Sequence, residues 1–425
     1  MKRKASTPAS GEAAKKNCND PIVSAADVLS QPGLTYELDP AGDIIFLLPN
    51  VPKSMPARLA DLEPNMLGGF SELSQTPESQ LSTPSAGEPT SDETPASEQV
   101  SDEPAASENE SAATEESDTE TPADEVPLPL RIRTSSKHLS FSCPYFSRMF
   151  NGGFKEASEL ESQGSVVITV EDWEALPFLL LLMVIHGKSR MIPRKVDMET
   201  LVDIAILVDF YECYEVVGVI SDMWINDLLE SHPLAYNDDV HSWLFISWVF
   251  ARKEIFSKIT QIMQVSSTEA IDSAGLLIPG VIIDQLNEGR NEGINRIIEF
   301  LHSLYSSLAT NGKCNKLILS NVLGECWRTR TACKYGVIGA LVTHMLSMGL
   351  LSPSPTPPFA GISVTKLIQG CGEKLQSLTH YSDQNNEYVA CSISRRTQNR
   401  LSNIPQPPGL DIDNPAFVKL RGIHR

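Results

Sequence analysis

The sequence lacks any apolar run long enough to cross a membrane as a helix. Its longest run, from Leu176 to Ile185, has ten residues, about half of the ~20 that a bilayer requires. An apolar N-terminal leader is also missing, and the eight cysteines of this 425-residue chain include no CxxC pair. We therefore expect a soluble protein with free thiols in a reducing compartment, without a membrane as partner.

Motifs of the common enzyme classes are missing too. There is no HExxH, no GxSxG, no GxGxxG after an apolar strand and no protein-kinase series. The fragment Gly187-Lys188-Ser189 resembles the end of a phosphate-binding loop, but the first glycine of that motif is replaced by Leu182 in an apolar helix. We expect a protein that is not an enzyme, with no catalytic residues and no cofactor.

Basic and aromatic residues are absent from residues 71–126, which carry 16 acidic residues in a chain of net charge −20. Such a segment cannot bury enough apolar surface to offset its ordering entropy, so residues 57–126 are predicted to be a disordered acidic insertion. A solvated spacer is favoured over a transcriptional activation segment, because the bulky apolar residues of activation segments are missing. Its candidate phosphorylation sites are Thr76, Thr83, Ser91, Thr94, Ser101 and Thr121.

The N-terminus carries two groups of basic residues, which are Lys2, Arg3 and Lys4, followed ten residues later by Lys15 and Lys16. This spacing is typical of a bipartite nuclear import signal, and a basic tail without an address is the alternative. We expect the protein in the nucleus or the cytoplasm, with the nucleus slightly favoured. Direct nucleic-acid binding is not expected, because the chain as a whole is acidic and has no basic stripe.

Residues 133–156, RTSSKHLSFSCPYFSRMFNGGFKE, predict a strand that leads into one amphipathic helix. Ser135 or Ser136 can cap that helix, since serine is a preferred N-cap residue. The apolar residues recur at helical spacing and form a stripe, which consists of Leu139, Phe141, Tyr145, Phe146, Met149 and Phe150.

Neighbouring segments predict further elements of one domain. Apolar runs at Ile44 to Leu48 and Val166 to Val170 are typical of strands, and the run from Leu176 to Ile185 is typical of a helix that is buried on most faces. An amphipathic helix is predicted by the spacing of the apolar residues Leu201, Ile204, Ala205, Val208 and Tyr211. This succession resembles a BTB/POZ domain, and more narrowly the divergent BTB proteins abundant in filamentous fungi. In those proteins a DP-GD strand, an SSKHL-S-SP-F--MF helix, an IHG segment and an AILVD-YEC helix follow in this order. Here they correspond to Asp39 to Asp43, Ser135 to Phe150, Ile185 to Gly187 and Ala205 to Cys213.

The resemblance covers about half the chain and implies an interaction module without an active site. It implies a homodimer, or an adaptor that binds the cullin scaffold of a ubiquitin ligase. We expect apolar contact surfaces within 141–154 and 196–214, at Phe141, Tyr145, Phe146, Met149, Phe150, Phe154, Tyr211 and Tyr214. A nuclear regulator that recruits cofactors to chromatin through protein contacts is the alternative function.

We accordingly predict an α+β fold in which a BTB/POZ-like domain, a short sheet flanked by helices, precedes a mainly α-helical module. About seventy residues separate the first two strands, so the acidic insertion either interrupts one domain or residues 36–49 belong elsewhere. The predicted segments are a basic tail at 1–33, a first strand region at 34–56, the insertion at 57–126, the main BTB-like part at 127–220, the helical module at 221–350, and a proline-rich segment with a C-terminal tail at 351–425.

The helical module is expected to have a core of its own around the aromatic-rich residues 241–263. Residues 404–425 are predicted to be either a tail or a peptide that lies on this module. A zinc-dependent protein is a further alternative, although structural cysteines are favoured. Its candidate ligands are Cys314, Cys326, Cys333, Cys371, His380 and Cys391.

Overall fold

A computed structural model describes residues 25–49, 51–52, 55–69, 129–310, 326–376, 379–382, 387–390 and 398–422. The fold is α+β, with a small mixed sheet of four strands and mostly helices. The strands are β1 (Leu34–Glu37), β2 (Ile44–Leu48), β3 (Leu130–Thr134), β4 (Val166–Thr169), β5 (Thr379–Ser382) and β6 (Glu387–Ala390). The helices are α1 (Ala25–Ser30), α2 (Pro64–Leu67), α3 (Ser136–Ser142), α4 (Pro144–Asn151), α5 (Lys155–Gln163), α6 (Ala175–Ile185), α7 (Met198–Tyr211), α8 (Tyr214–Leu228), α9 (Val240–Val249), α10 (Lys253–Ser266), α11 (Gly280–Thr310), α12 (Cys326–Ser347), α13 (Val364–Gln376) and α14 (Pro415–Gly422).

The main sheet has the strand order β1-β3-β2-β4. β2 runs antiparallel to β3, and the outer strands β1 and β4 are parallel to their neighbours. One face of the sheet is covered by helices, because the ring of Phe46 on β2 packs edge-on against Phe146 of α4 and Phe178 of α6, with ring centroids 5.8 and 5.2 Å apart. Residues 44–48 and 130–134 therefore belong to one sheet, and the long connection interrupts a single domain.

Residues 55–69 form part of this domain. They contain a 3₁₀ turn at Leu59–Asp61 and the short helix α2, and Leu62 and Leu67 are buried in the same core as β2. The carbonyl of Gly68 accepts a hydrogen bond from the backbone N–H of Asp197, at 2.9 Å. The prediction that the insertion begins at residue 57 is therefore wrong: the chain stays in the domain as far as Gly69.

The single helix predicted after β3 is interrupted. α3 ends at Ser142, Cys143 is extended with φ −132° and ψ 110°, and α4 begins with Pro144 at its first turn. Proline is tolerated at the first position of a helix and disfavours helical geometry in the residue before it. The dipeptide Cys143-Pro144 therefore separates two helices whose faces are set independently.

The helical continuation shares the core of the sheet. Trp224, Trp243, Phe245 and Phe256 are fully buried and belong to one continuous cluster with the strands. The prediction of a separate core around residues 241–263 is therefore wrong, because the buried side chains on both sides of the predicted boundary at 220/221 form one cluster. A second cluster forms further along, from the C-terminal half of α11 with α12, α13 and residues 350–362.

α11 connects the two clusters over its 31 residues, a length of about 46 Å. Ile282 and Leu286 lie in the first cluster, and Ile294 to Leu304 contribute to the second. A Cβ atom at Gly293 would lie only 2.9 Å from the ring of Pro407, so a glycine is needed for this close approach. α11 therefore packs tightly against residue 407 at this position.

The proline-rich segment after α12 is held by a buried arginine. Arg290 of α11 is fully buried and donates to the carbonyl oxygens of Ser267, Pro358, Phe359 and Ile362, at 2.6 to 3.1 Å. Burial lowers the pKa of its guanidinium from the ordinary value. Backbone dipoles, with no carboxylate among these contacts, therefore solvate this charge and fix residues 358–362 against α11.

The described C-terminal residues lie on the helical part, which decides between the two alternatives given above. The N–H of Leu410 donates to Thr260 Oγ of α10 at 2.8 Å. Phe417 of α14 is fully buried, and its ring lies 6.1 and 6.3 Å from those of Trp248 and Phe256. Residues 404–422 are therefore a packed peptide and not a free tail.

Candidate interaction surface

The N-terminus of α3 is capped from the turn between β1 and β2. The carboxylate of Asp43 accepts hydrogen bonds from the backbone N–H of Ser136 at 2.7 Å and from its hydroxyl at 2.6 Å. Neither Ser135 nor Ser136 caps the helix with its own side chain. The predicted serine cap is therefore wrong, and its place is taken by a carboxylate 93 residues earlier in the chain, where negative charge also favours a helix N-terminus.

His186 supports the same helix start. Its Nε2 accepts from the backbone N–H of Ser135 at 3.1 Å, and its Nδ1 lies 2.8 Å from the carbonyl oxygen of Leu182. With Nε2 as acceptor, the network assigns the proton to Nδ1, which donates to Leu182. Burial, opposed by the Leu182 carbonyl, lowers the pKa of His186 and so favours this neutral form. Three of the sequence motifs that carry the BTB/POZ resemblance thus meet at one point.

Behind this helix start, α4 and α7 contribute an aromatic core. Phe146 stacks on Tyr211 with ring centroids 4.8 Å apart, and on Phe150 at 5.8 Å. All three are buried, and burial raises the pKa of the Tyr211 hydroxyl well above its ordinary value. These three residues were predicted to belong to a contact surface, and that prediction is wrong, because their rings are buried in the core.

The other predicted surface residues reach solvent to different extents. Phe141 on α3 is 94 % exposed and Phe154, before α5, is 57 % exposed. Tyr145, Met149 and Tyr214 are half-buried. The predicted surface therefore contains two exposed phenylalanines and three half-buried side chains.

Sequence reasoning missed two aromatic residues that reach the surface beside Tyr145. Phe210 at the end of α7 is 37 % exposed, and its ring centroid lies 5.2 Å from that of Tyr145 and 5.2 Å from that of Trp173. The indole N–H of Trp173 donates to the hydroxyl of Tyr211 at 3.0 Å, which fixes the indole. Phe210 occurs in the quoted AILVD-YEC segment, but its exposure depends on how α7 lies against α4.

Arg148 and Glu156 lie near the ring of Tyr145. Arg148 forms a bidentate pair with Glu212 at 2.6 and 2.8 Å, and Lys155 at the start of α5 pairs with Glu159 at 3.2 Å. Burial, followed by the charge of Glu156, raises the pKa of Tyr145, while Arg148 opposes that effect. Glu156 is therefore an acidic group beside the aromatic ring of Tyr145.

The remaining side chains of interest are buried thiols. Cys143 and Cys213 are buried and not disulfide-bonded, and the hydrogen bond between their thiols, followed by burial, raises the pKa of Cys213 well above its ordinary value. Burial raises the pKa of Cys371 to about 11, so this thiol is protonated at neutral pH. Across the described parts of the chain, no three His, Cys, Asp or Glu side chains converge as metal ligands do.

Several sequence predictions fall outside the described residues. These are the import signal within residues 2–16, the phosphorylation sites within 76–121, and the zinc candidates Cys314 and Cys391. The same holds for the side chains of Cys326, Cys333 and His380. None of the helices that the structure describes is both long and apolar enough to span a bilayer.

Comparisons with protein-family models, with curated proteins and with solved structures found no match for this chain.

Proposed function

We propose that this protein is a non-enzymatic interaction and assembly module whose sheet-containing part is of the BTB/POZ type. The proposal is carried by Phe141, a large apolar side chain left 94 % exposed on α3. Burying a phenylalanine side chain contributes about 1.5–3 kcal/mol, so a partner that covers Phe141 gains directly from it. Phe154 offers a second such contact.

The family assignment is supported by the convergence of its motifs. Asp43 from the DP-GD segment, Ser135 and Ser136 from the SSKHL segment and His186 from the IHG segment form one hydrogen-bonded group. These residues, which are widely separated in the sequence, together fix the start of α3 and hence the position of Phe141. Either self-association or docking on a cullin scaffold fits a module that presents such a helix.

Light scattering of the purified chain tests this proposal, at several protein concentrations, alone and mixed with a cullin N-terminal domain. We expect a dimer or a stoichiometric cullin complex that is lost when Phe141→Ser and Phe154→Ser are combined. Leu346→Ser on α12 is the matched control, because Leu346 is also exposed and lies away from the sheet. A monomer that does not bind the cullin domain refutes both self-association and docking on a cullin.

The alternative functions stay predictions. Recruitment of cofactors to chromatin rests on basic residues that lie outside the described residues, and the zinc hypothesis rests largely on residues that do so as well. Metal analysis tests the second directly: fewer than about one zinc per two chains excludes a structural or catalytic zinc at the usual one-ion stoichiometry.

A further inference from the structure

The surface formed by Tyr145, Trp173 and Phe210 has features of a ready-made binding site for a cation. Phe210 lies between the other two rings, at 5.2 Å from each. Aromatic pairs in such edge and tilted arrangements stabilise one another, and the hydrogen bond from Trp173 to Tyr211 fixes the indole further. The surface is therefore rigid before any partner arrives, which reduces the entropy cost of binding.

The acidic rim indicates the charge of the partner. Glu171, Asp172 and Glu174 flank Trp173 in the sequence and are exposed, and none of them forms an ion pair with a residue that the structure describes. Glu156 lies close enough to affect Tyr145. Because Arg148 and Lys155 are already paired with Glu212 and Glu159, the rim is left negative.

From this combination we infer that the Tyr145–Trp173–Phe210 surface binds an arginine-containing peptide segment of a partner protein. A guanidinium group stacks on aromatic faces and forms bidentate hydrogen bonds with carboxylates, whereas an ammonium group does so less well. The aromatic faces here are those of Tyr145, Trp173 and Phe210, and the carboxylates are those of Glu171, Asp172 and Glu174, which are one or two residues from Trp173 in the chain. The inference goes beyond the proposed assembly function, since it requires neither self-association nor a cullin and uses neither Phe141 nor Phe154.

The test is fluorescence anisotropy of a labelled peptide with four arginines separated by glycines, titrated with the full chain. Its counterpart with citrulline keeps the shape of each side chain and removes the charge, and a lysine counterpart keeps the charge and removes the planar group. We expect the arginine peptide to bind at least tenfold more tightly than the citrulline peptide, and several-fold more tightly than the lysine peptide.

The variants must separate this site from general attraction to an acidic chain. Replacing the three rim acids together (E171Q, D172N and E174Q) is expected to weaken arginine-peptide binding about tenfold, because each exposed charge contributes modestly to the attraction. The control triple D284N, E288Q and E299Q removes three exposed acids of α11 and should change the affinity less than twofold. Since the rim acids also precede the N-terminus of α6, thermal melting checks that the variant is folded.

A second variant tests the rings. Phe210→Ala removes the central ring and is expected to weaken the arginine peptide several-fold while leaving the citrulline peptide unchanged. Equal weakening by both acid triples, or equal binding of the citrulline peptide, overturns the inference. A further variant changes Lys2, Arg3, Lys4, Lys15 and Lys16 to Gln. If this variant binds the arginine peptide much more tightly than the natural chain does, the inference is also overturned, because the basic N-terminus of the natural chain then occupies the surface.

Discussion

The boundary of the acidic insertion leads to a prediction in which two deletions of similar size have different effects. Replacing residues 71–126 by a linker of about eight Gly and Ser residues removes the segment that has no basic or aromatic residue. Extending the deletion to residues 60–126 also removes Leu62 and Leu67, which are buried in the core. On the sequence alone, both deletions lie within the predicted disordered insertion and would be expected to have the same effect on stability.

The expected magnitudes follow from loop closure and from burial. Shortening the connection changes its closure entropy by about 1–2 kcal/mol in the stabilising direction. Loss of a buried leucine side chain costs about 2–5 kcal/mol, so removal of Leu62 and Leu67 together costs a large part of the ~5–15 kcal/mol that holds a typical domain folded. The shorter deletion is therefore expected to leave the protein folded and the longer one to unfold it or nearly so.

Leu67→Ala, alone and combined with the shorter deletion, provides the measurement, using urea unfolding followed by circular dichroism. We expect a loss of about 2–5 kcal/mol in both backgrounds, because the deleted segment and Leu67 act independently. If the shorter deletion lowers the unfolding free energy by more than about 2 kcal/mol, the acidic segment packs on the domain and the compositional argument fails. If Leu67→Ala costs less than about 1 kcal/mol, the packing of residues 55–69 is wrong.

Three further predictions concern single polar residues. Arg290→Met leaves several buried carbonyl oxygens without a donor and is expected to lower the unfolding free energy by about 3–5 kcal/mol. Hydrogen exchange at residues 359–362 should become faster, and an unchanged exchange rate would show that Arg290 does not hold this segment. Because the pKa of His186 is lowered in the folded state, the unfolded chain binds the proton more tightly than the folded chain. The contribution of His186 to the unfolding free energy is therefore fully present above about pH 6.5 and is lost as the pH falls below that value. His186→Gln should remove this part of the pH dependence of the melting temperature. Asp43→Ala removes the cap of Ser136 and is expected to cost about 1–2 kcal/mol in urea unfolding, while Asp43→Asn keeps an acceptor and should cost less.

Local pattern predicts much of this fold. The strands β2 and β4 and the helix α6 coincide closely with the apolar runs at Ile44 to Leu48, Val166 to Val170 and Leu176 to Ile185. β2 and α6 are buried on most sides, whereas β4 is an edge strand that buries mainly Val166, and in all three a continuous apolar run is sufficient to identify the element. The α+β class and the helix-rich second half are confirmed on the same basis.

Contacts between distant segments are the part that local pattern does not contain. The cap of α3 comes from Asp43, and the fixation of residues 358–362 comes from Arg290, across separations of 93 and 68 residues. In the sequence, Arg290 follows Gly289 on a helix with a mixed surface, and nothing local distinguishes a buried guanidinium from a solvated one. Only the approach of the proline-rich segment to α11 defines its environment.

The exposure of the aromatic residues shows why the candidate surface was only partly predictable. On one continuous helix, Phe141 and Tyr145 would lie four residues apart on the same face. The extended Cys143 interrupts that relation, so that α3 buries Leu139 and presents Phe141 while α4 buries Phe146 and Phe150. Sequence periodicity identifies which residues share a helix face only while the helix is unbroken. In α3 and α4, the aromatic residues that stay exposed are therefore decided by the break at Pro144 and by the helices packed behind it.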